Sequence, residues 1–257
     1  MQRRTMMLAG VGGIAGLIGL GWWHRNALAG GALQQIDSNQ AQPTILPTNQ
    51  CTLTPEQIEG PFFIPGPLRA DIREDRQGIE LALQINVARA GDCAAIEGAR
   101  VEIWHCDAAG RYSAYPEGLG RNPFDTIAYL RRATGSGGHA PPENDKRYLR
   151  GAAHTNVAGQ VTFTTIFPGW YEPRVAHIHA KVMIDERAYL TTQLYFPDAV
   201  AQQIYANHPL YAPFGECPYS LGRDSVLATS RPGRGLLLQP EGTAEDRMRA
   251  ACTFWVA

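Results

Sequence analysis

Apolar and polar side chains alternate with a period of two along Ile79–Arg89 (IELALQINVAR), which predicts a half-buried β-strand. The same alternation runs through Ala99–His105 and stops at the turn Asp107-Ala-Ala-Gly110. Gly159–Ile166, His177–Ile184 and Ala188–Phe196 predict three further strands. Short strands separated by turn clusters predict an all-β fold, an antiparallel β-sandwich core with long loops and short helices. Pro197–Tyr205 opens with proline and a carboxylate and predicts one such helix. Before the first strand, Cys51–Pro67 is an irregular arm with large apolar residues, expected to pack over the main body, and Arg73–Gly78 is a charged turn. Ser113 to Arg150 is long and rich in Gly, Pro and Arg, and loops of that length inside a compact domain are usually functional or disordered.

The first 50 residues follow a different pattern. A basic start with Arg3-Arg4 leads into an apolar, glycine-rich run through Trp23 and then Ala27-Leu28-Ala29-Gly30. A basic segment, an apolar segment and an Ala-x-Ala site together predict a signal peptide over residues 1–29. The paired arginines point to the twin-arginine route, which exports folded proteins to the periplasm or beyond. The alternative is an uncleaved membrane anchor, since the run approaches the ~18 apolar residues of a membrane span. Residues 30–50, rich in Gln, Asn, Ser and Pro, read as a linker, which leaves residues 51–257 as one domain.

Composition narrows the function classes. A net charge of −1, with no clustering of the basic residues, argues against nucleic-acid binding. Arg131-Arg132 and Lys146-Arg147 read as solvated loop charge that could attract a carboxylated substrate. The five cysteines, Cys51, Cys93, Cys106, Cys217 and Cys252, allow at most two disulfides and leave at least one thiol. None lies in a Cys-x-x-Cys pair, so a thiolate zinc site is not expected.

The chemistry concentrates in Phe163–His179 (FTTIFPGWYEPRVAHIH). In a strand, His177 and His179 share one face while Ile178 takes the other, so two imidazoles form half of a metal site. By itself His-x-His suits copper, zinc or iron, or two histidines bonded to backbone. Tyr171, in the Pro168-Gly-Trp-Tyr turn, and Tyr112, after the Asp107–Gly110 turn, sharpen it. Phenolates are hard, charged oxygen donors that favour a hard, high-valent ion. Two of them with two neutral imidazoles would bring the net charge of an Fe(III) site to +1 and leave a position open.

These residues resemble the intradiol ring-cleavage dioxygenases, the protocatechuate 3,4-dioxygenase-like enzymes. The resemblance is carried by Gly-Arg-Tyr112, Pro-Gly-Trp-Tyr171, Arg174-Val-Ala-His-Ile-His179 and Leu190-Thr-Thr-Gln-Leu-Tyr-Phe196, with Glu59-Gly-Pro-Phe-Phe63 and Val101-Glu-Ile-Trp104, in order from about Cys51 to Phe196. It implies a β-sandwich and a non-haem Fe(III) held by Tyr112, Tyr171, His177 and His179. It also implies that Tyr171 leaves the metal and takes a substrate proton, and that Arg174 stabilises negative charge on the ring. Gln193 would hydrogen-bond behind the ligands and Trp104 would line the pocket. The expected partners are a catechol-type aromatic and O2, opened to a cis,cis-muconate-type diacid; a homo-oligomer is compatible with this. Compared with protocatechuate and catechol enzymes, the five residues between Tyr171 and His177 make a short loop and imply a more open pocket. The segment before Val101 is shorter than the helical dimerisation domain of catechol 1,2-dioxygenases, and the export signal suggests a secreted branch.

Several rival readings use the same residues. His105-Cys-Asp107, with His154, has the spacing of a two-His-one-carboxylate Fe(II) site, although Asp107 also suits the turn that follows. A copper or zinc protein would use His177 and His179, with Cys217 the nearest downstream cysteine for copper. A secreted β-sandwich that binds aromatics without turnover would keep the scaffold alone. Gln193 could equally be a structural polar residue.

Overall fold

The computed structural model describes residues 51–116, 129, 131, 138–228, 235–243 and 247–257. The expected signal peptide and linker lie outside the described residues, as does most of the middle of the predicted 113–150 loop. The described residues form eight strands: β1 (Glu80–Arg89), β2 (Arg100–Trp104), β3 (Arg150–His154), β4 (Gln160–Ile166), β5 (His177–Ile184), β6 (Arg187–Tyr195), β7 (Leu236–Leu237) and β8 (Met248–Val256). They form a three-stranded sheet in the order β4-β1-β8 and a five-stranded sheet in the order β3-β2-β5-β6-β7.

The two sheets bury their apolar faces in one cluster. Leu81, Leu83, Ile85 and Val87 of β1 and Phe163 of β4 meet Val101 and Ile103 of β2, Ile178, Ala180 and Val182 of β5, and Leu194 of β6. The period-two alternation of β1 survives intact, with its polar positions half-buried outside. β2 departs from it, because Glu102 and Trp104 on its outer face are buried as well. The arm explains this. It crosses the outer face of the larger sheet strand by strand: the Gln57 N–H donates to Thr191 O of β6 at 2.8 Å and Glu59 pairs with Lys181 of β5. Phe63 then packs edge-on against Trp104 of β2, the Gly66 N–H donates to the Glu102 carboxylate, and Pro67 O accepts from Ala152 of β3.

Two pairings differ from the antiparallel expectation. β8 runs parallel to β1 and β7 parallel to β6. Both strands return after a long excursion through helix α1 (Asp198–Asn207), so no tight hairpin fixes their direction. The helix follows Pro197 as expected, runs two residues past Tyr205, and packs Ala201, Ile204 and Tyr205 on the core.

Cys51 and Cys93 form a disulfide that ties the start of the arm to the turn after β1, while Cys106, Cys217 and Cys252 are free thiols. No helix among the described residues is long and apolar enough to cross a membrane.

Candidate active site

Two turns that touch backbone to backbone bring the tyrosines together. Asp107 Oδ1 accepts from the Ala109 and Arg111 N–H groups, closing the turn that the sequence predicts there. Gly110 has φ +76° and a Cβ on it would sit 2.1 Å from Trp170 O, so only glycine fits. From the other side, the Gly169 N–H donates to Asp107 O at 3.1 Å, and a Cβ on Gly169 would lie 2.6 Å from Ala108 O. These two bare approaches set Tyr112 and Tyr171 edge to face, with ring centroids 5.6 Å apart.

β5 supplies the imidazoles. Ile178 points into the inter-sheet core, and His177 and His179 point outward under the arm, with ring centroids 4.9 Å apart. The hydroxyls of Tyr112 and Tyr171 each lie 3.4 Å from His177 Nε2. Nδ1 of His177 sits 2.7 Å from Val175 O, which can only accept, so Nδ1 carries the proton and Nε2 presents its lone pair to the two phenols. His179 is stacked on Trp104, 4.9 Å between centroids and 7° between planes, and its Nδ1 is buried without a hydrogen bond among the described residues.

The strand register extends this row across the sheet: Arg150 of β3, Trp104 of β2, His179 of β5 and Gln193 of β6 are successive cross-strand partners. Three buried polar atoms along it have no partner among the described residues: Arg150 Nη1, Trp104 Nε1 and His179 Nδ1. The arm roofs the row. Phe62 packs on Tyr112, Tyr115 and Tyr171, and Gly60, with φ +79°, brings its backbone so close that a Cβ would sit 3.2 Å from His179 Cε1.

Arg174 is buried beside the tyrosines. Its Nη2 donates to Gln193 Oε1 at 2.5 Å and lies 3.3 Å from the Tyr195 hydroxyl, and its Nε faces the fully buried Asp224 carboxylate at 2.9 Å. Nη1 makes no hydrogen bond to any described residue. Gln193 in turn donates from Nε2 to Ile58 O, fastening the arm to the arginine. Arg150 is the second buried cation, its guanidinium 5.8 Å from the Tyr112 and Tyr115 ring centroids and bonded to Ser113 Oγ and O.

Burial sets the protonation states. It pushes the pKa values of His177 and His179 far down, so both imidazoles are neutral donors. It pushes the Tyr171 phenol up to about 12 against the opposing charge of Arg174, and it pushes the Tyr112 phenol well above its ordinary value, with Tyr171 adding to the rise. Two phenols and two neutral imidazoles, buried, convergent and short of partners, fit a hard trivalent cation such as Fe(III), which would displace the phenol protons. Among the described residues, no group of three or more His, Cys, Asp or Glu could hold a metal.

All seven residues singled out from the sequence (Trp104, Tyr112, Tyr171, Arg174, His177, His179 and Gln193) thus belong to one cluster. The rival constellations do not assemble. Both nitrogens of His105 are engaged, Nδ1 with Cys106 O and Nε2 with Thr165 Oγ1, while His154 is exposed at the end of β3. Cys217 is buried in the apolar core beside the helix, where Gln202 donates to its carbonyl, and burial pushes its thiol up to about 11. Sequence reading missed Arg150, Tyr195 and Asp224. Arg150 offers one signal, an arginine opening a run of small residues; Asp224 offers none.

Residues 58–207 match the protein family Dioxygenase_C, described as dioxygenase. The chain is 32% identical over 156 residues to a catechol 1,2-dioxygenase of Pseudomonas sp. (strain EST1001), covering 55% of this chain and 46% of that protein. It is 26% identical over 164 residues to catechol 1,2-dioxygenase 1 of Acinetobacter lwoffii, covering 54% and 45%. The chain therefore spans about half the length of the curated relatives it matches. Among solved structures it is similar to an intradiol ring-cleavage dioxygenase from Tetranychus urticae, with a TM-score of 0.67, 28% identity, and coverage of 80% of this chain and 95% of that one.

Proposed function

The chain belongs to the intradiol ring-cleavage dioxygenase family, and on that premise we propose that it is an exported, non-haem Fe(III)-dependent enzyme that opens a catechol-type aromatic with O2. In this reading Tyr112, Tyr171, His177 and His179 hold the metal. The observation that carries it is the approach of both tyrosine hydroxyls to His177 Nε2, 3.4 Å each, with His179 alongside. Bound Fe(III) supplies the Lewis acidity that lets a catechol bind deprotonated and opens its ring to O2. The reaction balances without a further reductant: both oxygen atoms enter the product, and cleavage between the two hydroxylated carbons gives a cis,cis-muconate-type diacid.

The chain's own residues handle charge and protons. The Tyr171 phenolate oxygen would accept one catechol proton. Arg174 offers Nη1 to the negative charge that grows on the ring, its other nitrogens being fixed by Gln193 and Asp224. Trp104 and His139 flank Phe63, and Phe62 lies over the tyrosines, so the arm excludes water from one side of the site.

Residues 1–29 serve as the export signal and 30–50 as a linker to the catalytic domain. The Cys51–Cys93 disulfide supports an oxidising destination.

The test is product analysis under 18O2 with catechol as probe. Ring-opened diacid carrying one 18O in each carboxyl group supports the assignment. Binding of catechol without O2 consumption, or cleavage beside rather than between the hydroxylated carbons, contradicts it.

A further inference from the structure

We propose that Asp224 is the positioning residue that fixes the Arg174 guanidinium against the reacting ring, in a reading that rests on the catalytic role proposed for Arg174. Asp224 lies outside the residues that match the family, in the segment that follows the 3-10 helix Leu221–Arg223, 50 residues downstream of the arginine it meets.

The carboxylate is fully buried and four donors converge on it. Oδ2 accepts from Arg174 Nε at 2.9 Å and from the Val175 N–H at 3.0 Å. Oδ1 lies 3.1 Å from the same Nε and accepts from the Val226 and Leu227 N–H groups at 3.0 and 3.1 Å. The acid is therefore held by its own turn and reaches out to the arginine and to the backbone after it. Val175 sits in the loop between Tyr171 and His177, and Val175 O fixes the His177 ring through Nδ1. One carboxylate thus anchors the guanidinium and the loop that joins two of the proposed metal ligands.

The way the pair meets matters as much as its charge. Asp224 takes the arginine at Nε and leaves the far edge free, so Nη2 reaches Gln193 and Nη1 remains available to the substrate. A fork-to-fork pair would have occupied both terminal nitrogens. A buried guanidinium without a compensating anion would also be driven to reorient toward another acceptor, and a displacement near 1 Å at a reacting centre costs up to about 100-fold in rate.

The experiment compares wild type, Asp224→Asn, Asp224→Glu, Arg174→Gln and the double variant Arg174→Gln/Asp224→Asn, all iron-loaded, with catechol as probe. It measures kcat and KM, bound iron, the phenolate-to-Fe(III) absorption band, and anaerobic catechol affinity from the shift of that band. Asp224→Asn is expected to lower kcat/KM by about 10- to 100-fold while keeping iron and an unshifted resting band, and Asp224→Glu by less. The double variant is expected to be no slower than Arg174→Gln alone, because the charge of Asp224 acts through that arginine and an Asn at 224 keeps an oxygen that can accept from the Val175 N–H. In the double variant no buried charge is left unpaired, so it folds even if Asp224→Asn does not, and equality with Arg174→Gln then supports the proposal. Wild-type kinetics in both Asp224 variants, or an equal extra loss in the Arg174→Gln background, overturns it. Arg174→Gln with wild-type turnover would instead sink the role of Arg174 itself, a separate result.

Discussion

The indole of Trp104 lies flat on the imidazole of His179, their planes within 7° and their centroids 4.9 Å apart. The contact follows from register, since the two residues are cross-strand partners on β2 and β5. It fixes the plane of one proposed ligand by packing, because His179 Nδ1 has no hydrogen bond among the described residues. Supporting contacts of this kind set metal affinity. Trp104→Leu is expected to weaken iron retention about 10- to 100-fold and to cost roughly 3 kcal/mol in stability. Trp104→Phe should lose less of both. Competition with a chelator and urea unfolding measure the two effects.

Arg150 gives a prediction in which two readouts move in opposite directions. It is a buried cation with no carboxylate partner among the described residues, and its surroundings pull its pKa down to about 10, burial first. Replacing such a charge by an apolar side chain is often neutral or stabilising. Its guanidinium, however, lies 5.8 Å from the Tyr112 ring centroid, close enough for its charge to favour a phenolate there. Arg150→Met is therefore expected to leave the metal-free protein at least as stable while lowering iron affinity. Urea midpoints of the metal-free form, read beside iron competition, separate the two. A drop in metal-free stability of several kcal/mol would show that the hydrogen bonds to Ser113 dominate.

These two residues mark how far the sequence could be read. The His177–His179 face, the Pro168–Tyr171 turn and the Asp107–Gly110 turn are local features, written in alternation and in Pro, Gly and Asp. Everything they dictate is present in the fold. Arg150 belongs to β3, whose Arg-Gly-Ala-Ala-His sequence has no β-branched residue. It forms a strand because Gly151 admits Ile72 and the Arg69 backbone, where a Cβ would lie 2.4 Å from Ile72 Cγ2, a tertiary fact invisible locally. β8 alternates Met, Ala, Phe and Val, yet its parallel place beside β1 depends on partners more than 150 residues away. Asp224 reaches Arg174 from a short turn without periodicity, so only the folded chain shows the pair.

Buried neutral histidines make the metal-free protein acid-labile. His105 is held neutral down to about 4, chiefly by burial, against an ordinary value of 6.5. Below pH 6.5 the unfolded chain takes up a proton that the folded chain refuses, so stability falls as pH drops from 6.5 toward 4. The loss is roughly 3 kcal/mol from this residue. His177 and His179 shift the same way and extend the decline. Urea midpoints measured from pH 8 to pH 4.5 should fall steadily, and His105→Gln should flatten part of that fall. A flat profile in the wild type would contradict it.

The Cys51–Cys93 disulfide closes a loop spanning 42 positions. Loop-closure entropy assigns such a link roughly 4 kcal/mol. The double variant Cys51→Ala/Cys93→Ala is expected to lose roughly 10 °C in Tm while its iron content is kept, since neither cysteine touches the proposed metal ligands. Calorimetry with and without reductant checks this.

The most direct test of the whole account is the visible spectrum of the purified, iron-loaded chain before and after anaerobic addition of catechol. Two phenolates on Fe(III) predict about one iron per chain, a broad phenolate-to-Fe(III) band, and a shift of that band as catechol displaces Tyr171; Tyr171→Phe should change the resting band. A chain that stays colourless after loading with Fe(III), or a band that Tyr171→Phe leaves untouched, would contradict the assignment of Tyr112, Tyr171, His177 and His179 as the metal site.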